Sequence, residues 1–478
     1  MQAAVAGDDI IGTTARRRIT RRLIPYLFLL FVIAYLDRVN LGYAALRMTA
    51  DTGFSDEVYG LGAGIFFIGY FLLEIPGTVM VEIWSARGWV ARIMITWGLL
   101  AAATAFVHTP GQFYSVRFLL GAAEAGFFPG IIVYLSHWFR RRDRGKAIAF
   151  FMAAVPISNV IGAPLSGLLL RVNWLGMAGW RWLFVIEGAP AVLLGVVTIF
   201  YLTDWPHQAR WLSAAERDWI KAELDAERLV LDAGDKTSGK VSGGASDEAS
   251  HLSRVVYGLK NRNVILLAMA YFFIVTTAYA FNFWFPTILK RLSGVSDLTV
   301  TLLATIPYVA GLAMMLVLAW NSDRTGERRW HAAGPMLLAA VGLFASAAAL
   351  KASVGLELGM FTLAAAGMYS FYAGFWALPG SLLTGTAAAG AIGLINSVGN
   401  LGGFVGPVVI GYLRKRTGGF LPGLACLSLS AVLAAVCVLA TRLGYAGNKP
   451  GIDEGPVKRP GDKGVASQPQ AHAEIGPA

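Results

Sequence analysis

The chain has 478 residues, of which 56% are hydrophobic and 14% charged, and its mean hydropathy is +0.58. Soluble globular chains are about a quarter charged, so this composition excludes an ordinary soluble domain and indicates a polytopic membrane protein. The formal net charge of +11 does not imply nucleic acid, because Lys and Arg are spread over loops, tails and span ends, and only Arg38 and Arg117 lie more than three residues inside an apolar span.

Residues 1–22 form an N-terminal tail with Arg16, Arg17, Arg18, Arg21 and Arg22 ahead of a long apolar run. No small-residue cleavage site follows, so a retained first span is expected rather than a signal peptide. Hydropathy gives twelve spans, at 23–46, 58–81, 89–107, 112–137, 145–170, 180–202, 263–291, 298–320, 333–351, 356–383, 386–413 and 421–443. Most are long enough to cross a bilayer with some tilt. Loop charge places the N-terminus in the cytoplasm, led by the WFRRRDRGK turn at 138–146. An even number of spans then puts both termini there. The run Arg414-Lys415-Arg416, in an outer loop on this count, goes against the pattern.

The first span, LFLLFVIAYLDRVNLGYAAL at 27–46, contains Asp37, Arg38 and Asn40. At about 1.5 Å per residue, Asp37 lies roughly 20 Å past Leu23, well inside the hydrocarbon. Charges there are costly and face a protein interior or a watery path. The pair is either a buried structural ion pair or part of a polar path for a charged solute and a proton. Adjacent helical residues point about 100° apart, so Arg38 is expected to face a cavity and hold an anionic solute while Asp37 faces neighbouring helices.

In the fourth span Arg117 and Glu124 are two helical turns apart and share a face. Desolvation and a nearby arginine act on such a carboxylate in opposite senses, which suits a group that loads and releases a proton. A permanent salt bridge between spans is the alternative. Away from the span ends, Glu74 and Glu187 complete the intramembrane ionisable groups, all in the first half. The second half offers Tyr279, Asn282, Trp284, Ser370, Tyr372, Trp376, Asn396 and Asn400 instead. The first half is therefore expected to handle charge and the second to shape and hydrogen-bond the solute. No histidine falls mid-span, so a proton relay must use carboxylates. Cys426 and Cys437 lack metal-ligand spacing, and no hydrolytic triad, Walker loop or zinc site is present. Neither enzyme chemistry nor a cofactor or metal is expected, and an ATP-driven pump built into this chain is excluded.

Residues 203–262 are the long interior break. They begin with an amphipathic stretch in which Ser213 and Glu216 form a possible capping box, and continue as a flexible linker. On either side, 23–202 and 263–443 resemble each other: AYLDRVN aligns with AYAFNFW, and AGFFPG (125–130) with AGFWALPG (373–380). A duplicated six-helix unit follows, with a site expected near mid-membrane between the halves. Gly and Pro are dense in spans 5 and 11, as a sliding face or as helix packing. Asn159 is the polar residue of span 5 expected to reach the cavity. The turn NSDRTGERR (321–329) gathers Asp323, Arg324, Arg328 and Arg329, either as a conformational latch between helix ends or as a solvated turn. Residues 444–478, rich in Gly, Pro and charge, are expected to be a disordered cytoplasmic tail.

This arrangement resembles the major facilitator superfamily. NSDRTGERR is similar to its loop signature, and Arg117-Phe-Leu-Leu-Gly121 to its fourth-span motif. YLDRVN, FFIGYFLLEIPG, GAAEAGFFPG and NSVGNLGGFVGP resemble the anion:cation symporter family, and in particular bacterial permeases for tartrate, phthalate and similar organic acids. The likeness covers residues 20–443. It implies an all-α membrane protein with twelve transmembrane helices in two pseudo-symmetric six-helix bundles. It implies proton-coupled uptake of a small organic anion, such as a hydroxy- or dicarboxylate, by alternating access across the inner membrane. The partners are then the anion, protons and the lipid bilayer, and the unit a monomer. Arg38 would bind the substrate carboxylate, and Asp37 and Glu124 would be the proton-coupling acids. Tyr70, Asn159 and Asn396 or Asn400 would be solute contacts, beside Tyr279, Asn282 and Trp376. One departure stands out: VEIWSARGWVARI (81–93) lacks the superfamily's aspartate–arginine pair and keeps Glu82, Arg87 and Arg92. The span 5 glycines partly resemble drug/proton antiporters, so a proton-coupled exporter of a hydrophobic compound is the alternative, followed by a non-transporting sensor.

Overall fold

The computed structural model describes residues 2–237, 261–348, 353–379 and 386–441. The expected tail at 444–478 and the linker from 238 to 260 lie outside these, as does Gly380 of the second AGFWALPG copy. Among the described residues the chain is helical throughout, with twelve helices or helix pairs long and apolar enough to cross a membrane.

The first half comprises α1 (Gln2–Thr52), α2 (Asp56–Ile83), α3 (Ala86–Ala103), α4 (Pro110–Glu124), α5 (Phe127–Ser136), α6 (Arg141–Met152), α7 (Ala154–Leu169) and α8 (Gly179–Tyr201). After α9 (Ala214–Thr237), the second half comprises α10 (Arg262–Ser293), α11 (Asp297–Thr325), α12 (Arg329–Ala348), α13 (Val354–Phe375), α14 (Thr386–Asn400), α15 (Gly402–Thr417) and α16 (Leu421–Leu439). The basic tail and the first span form one continuous helix rather than two segments.

Helix starts follow local chemistry. Thr109 and Gln112 close a capping box on α4 with Pro110 in its first turn. The box expected at Ser213 and Glu216 also forms: Ser213 N donates to Glu216 Oε2 at 2.8 Å and Glu216 N to Ser213 Oγ at 3.2 Å. Glu216 additionally pairs with Arg18 at 2.7 Å, tying α9 to the start of α1.

The fourth, fifth and eleventh spans are each built from two helices, and the break in the fourth positions a functional group. In the fourth, Gly126 takes φ 83°, which only glycine adopts freely, and an added Cβ would lie 2.7 Å from the Gly77 carbonyl carbon. Pro129 falls in the first turn of α5, where its missing N–H costs little. Helix α4 therefore stops at Glu124 and leaves that carboxylate at the break. The duplicate motif stops α13 at Phe375, followed by a turn at Trp376 and Ala377, so the repeat extends to its helix break.

Within the halves α3 packs on α8, α2 on α4 and α12 on α13; between them α2 meets α15 and α7 meets α11. The glycines of spans 5 and 11 serve this close approach. A Cβ on Gly406 would sit 2.2 Å from Thr276 O, one on Gly411 2.6 Å from Asp56 O, and one on Gly167 1.9 Å from Thr301 Oγ1. The last two contacts join the halves, so these glycines let the halves pack closely.

The end of the bundle bearing Thr52 and Asp297 is closed by ion pairs across the halves. Arg47 meets Asp297 at 2.7 Å, with Lys290 on the same carboxylate at 3.0 Å. Arg414 meets Asp56 at 2.6 Å and Lys415 meets Glu57. Arg414 is only 3% exposed. The basic run that departs from the loop-charge pattern thus answers the acids that open α2.

Candidate functional site

Asp37 and Arg38 diverge from α1, one into the first half and one toward the interface between halves. Asp37 is buried; its Oδ2 accepts from Trp97 Nε1 at 2.6 Å and its Oδ1 from Asn40 Nδ2 at 3.0 Å. Arg38 donates through Nε to Glu124 Oε1 at 2.6 Å, and Nη2 lies 2.6 Å from the same oxygen. Its Nη1 donates to Tyr279 Oη in the second half at 3.2 Å. The guanidinium lies 5.0 Å from the ring centroid of Tyr70 and 5.7 Å from that of Phe66, an attraction that strengthens with desolvation. Glu124 Oε2 is buried without a hydrogen bond. Arg38 also meets the C-terminal end of α4, where helix dipole and carboxylate favour a cation together.

Arg117 shares the α4 face with Glu124 but makes no ion pair with it. It is buried, 5.0 Å over the Phe66 ring, and donates to Gly62 O at 3.4 Å. Glu124 instead pairs across helices with Arg38, so Phe66 has a guanidinium over it from α1 and another from α4.

The remaining candidates divide by what occupies them. Asn282 Oδ1 accepts from Tyr308 at 3.2 Å and Tyr369 at 3.0 Å, all within the second half. Asn159 Nδ2 donates to Val155 O at 3.0 Å while its Oδ1 is buried and unpartnered. Trp376 Nε1 is likewise a buried donor without an acceptor, and its ring lies 5.0 Å from Tyr271. Tyr279 packs edge-on to Phe67 at 4.5 Å.

The sequence marks Glu74 only as an intramembrane acid, and nothing in it singles out Ser397. Glu74 is 3% exposed. Its Oε1 accepts from Asn396 Nδ2 and its Oε2 from Ser397 Oγ at 3.0 Å, both on α14 in the other half, and Asn400 lies beside it. The usable signal was Tyr70, one turn earlier on the same face of α2. Glu187 is also buried, neither oxygen hydrogen-bonded, with Asn40 and Ser166 as neighbours.

In the turn at 321–329, Arg328 bonds Asp323 at 2.7 Å and Ser322 at 3.0 Å, and Arg329 donates to Leu439 O. Arg324 lies over Trp320 at 5.5 Å. These contacts tie α11, α12 and α16 within the second half. The first-half loop that lacks its aspartate borrows one from the segment after α8. Asp204 accepts from Ser85 Oγ at 3.0 Å and Arg87 N at 2.8 Å, with Arg87 Nε at 3.9 Å. Arg92 donates to Ala123 O at 3.3 Å, next to the α4 break.

Residues 27–407 match the Major Facilitator Superfamily. The chain belongs to that superfamily. It is 46% identical over 431 residues, 90% of this chain and 95% of the relative, to a protein of Agrobacterium vitis named "Putative tartrate transporter". It is 41% identical over 414 residues, 86% and 91% of the two chains, to a quinolone resistance transporter of Acinetobacter baumannii. The solved structure of the E. coli xylose transporter in an inward-open conformation matches with a TM-score of 0.66 at 15% identity, covering 88% of this chain and 96% of that one. The chain is therefore an integral membrane transporter of the major facilitator fold.

Proposed function

We propose that this transporter carries a small organic anion, a hydroxy- or dicarboxylate of the tartrate type, into the cell together with protons. The observation that carries the reading is Arg38, a cation at the interface between halves whose present partner is an internal carboxylate, Glu124, at 2.6 Å. A solute carboxylate and Glu124 compete for one guanidinium. When the anion takes Arg38, Glu124 loses its counter-charge in a desolvated setting and binds a proton in its place. Anion and proton then load together, and Asp37, held by Trp97 and Asn40 on the adjacent helical residue, is the second acid of the relay. Tyr70, Tyr279, Trp376, Asn159 and Asn400 are the side chains proposed to position the solute. The 46% identity to the A. vitis protein supports the substrate class. The protein is proposed to work as a monomer in the inner membrane with its N-terminus in the cytoplasm, the ion-paired end facing outward.

The Acinetobacter relative favours a second reading, export of an aromatic compound against protons, and the aromatic cluster of Tyr271, Tyr372, Phe375 and Trp376 would suit it. Proteoliposomes separate the two. With an inward proton gradient, labelled tartrate accumulates and a protonophore abolishes the accumulation. Proton-driven movement of a quinolone in the opposite sense, with no carboxylate flux, would replace the first reading by the second.

A further inference from the structure

We infer that Asn396 and Ser397 form a second carboxylate subsite, filled in this conformation by the Glu74 side chain, so that the solute is a dicarboxylate whose binding frees two internal acids rather than one. The inference rests on the proposed function, because it takes Arg38 as the first anchor.

The two grips are alike in kind. At the first, a guanidinium from α1 holds the carboxylate of Glu124. At the second, an amide N–H and a hydroxyl from successive residues of α14 each donate to a separate oxygen of Glu74. Two donors meeting two oxygens of one buried carboxylate is the pattern by which an anion is recognised, since both ends of the group are satisfied. Tyr70 connects them: its ring lies under the Arg38 guanidinium, and Glu74 follows one turn later on α2. Around Glu74 stand Arg38 on α1, Tyr70 on α2, Tyr271 on α10 and Asn400 on α14. Around Glu124 stand Arg38, Asp37 and Arg117.

Exchange of a solute carboxylate for each internal one conserves the hydrogen bonds at both grips, so no buried donor is left without an acceptor. Each displaced glutamate loses its donors or counter-charge and takes a proton. A dianion therefore enters with two protons, and no net charge crosses the membrane. Because Glu74 belongs to the first half and Asn396 and Ser397 to the second, the exchange also replaces an internal tie between halves by one made through the solute. A monocarboxylate releases only one grip.

The test uses the full-length protein in proteoliposomes, with a fixed proton gradient and the membrane potential set by potassium and valinomycin. Wild-type accumulation of labelled tartrate is expected to be indifferent to potential. Glu74→Gln carries one proton fewer, so a net negative charge moves inward and about 100 mV, inside negative, lowers accumulation roughly 50-fold. Glu74→Gln also no longer competes as an ion for Asn396 and Ser397, so the preference for tartrate over a monocarboxylate such as lactate is expected to rise about tenfold in binding titrations. Voltage-indifferent accumulation by Glu74→Gln, or an unchanged preference for tartrate over lactate in that variant, overturns the inference and leaves the proposed function standing. If the wild type accumulates no carboxylate at all, the proposed function fails and this inference falls with it.

Discussion

Arg38→Ala is expected to lower carboxylate affinity by roughly a hundredfold or more, since truncating one side of a desolvated, hydrogen-bonded charge pair costs about 2–5 kcal/mol. Titration calorimetry on the purified protein measures it directly. The side chain supplies the positive charge and, through Nε, Nη1 and Nη2, contacts to both Glu124 and Tyr279. Alanine removes all of them and also strands Glu124 as an unpaired buried carboxylate, a loss of about 3–5 kcal/mol in stability for comparable pairs. The double variant Arg38→Ala/Glu124→Gln removes the stranded charge, so its melting temperature is expected to recover while binding stays lost. Recovery of binding in the double variant would make Arg38 a structural partner of Glu124 and nothing more. Lysine at position 38 keeps the charge without the planar fork, and intermediate affinity is expected.

Glu124→Gln is expected to abolish gradient-driven accumulation while leaving counterflow exchange of the anion. Glutamine matches glutamic acid in shape but cannot carry a proton, and it no longer competes with the solute as an ion for Arg38. Exchange needs only the loaded carrier to move back and forth, whereas accumulation needs proton and solute to be bound in concert. Paired uptake assays on the same vesicles separate the outcomes. If exchange and accumulation fall equally, Glu124 supports the fold around Arg38 instead of coupling.

Much of the architecture could be read from the residues because membrane spans obey length and composition. The twelve spans, the AGFFPG and AGFWALPG pair and the Ser213–Glu216 box are local signals and emerge in the structure as helices, breaks and a cap. The spacing of Arg117 and Glu124 correctly puts them on one face of α4, but spacing along one helix says nothing about the rotation of its neighbours. Arg38, from α1, reaches Glu124, and Arg117 lies over Phe66 instead. Distance along the chain hid other partners for the same reason. Asp204 completes the loop at 81–93 from beyond α8, and Glu74 meets Asn396 and Ser397 in the opposite half. Asn282 is expected from the sequence to serve the solute as one of the polar groups of the second half. In the folded chain its oxygen is taken by Tyr308 and Tyr369, a packing relation that alignment of two helices does not contain. Arg414 and Lys415 look misplaced by loop charge alone, yet they are matched by Asp56 and Glu57 across the interface.

Competition between Glu124 and the solute for Arg38 is tested most directly by counting protons during binding. Calorimetric titration of the purified protein with a carboxylate, repeated in buffers of different ionisation enthalpy, gives the number of protons bound per anion. Net proton uptake on binding is expected in the wild type over part of the range between roughly pH 5 and 9, with about one proton fewer in Glu124→Gln. Binding that takes up no proton anywhere in that range, or uptake unchanged by Glu124→Gln, would contradict it.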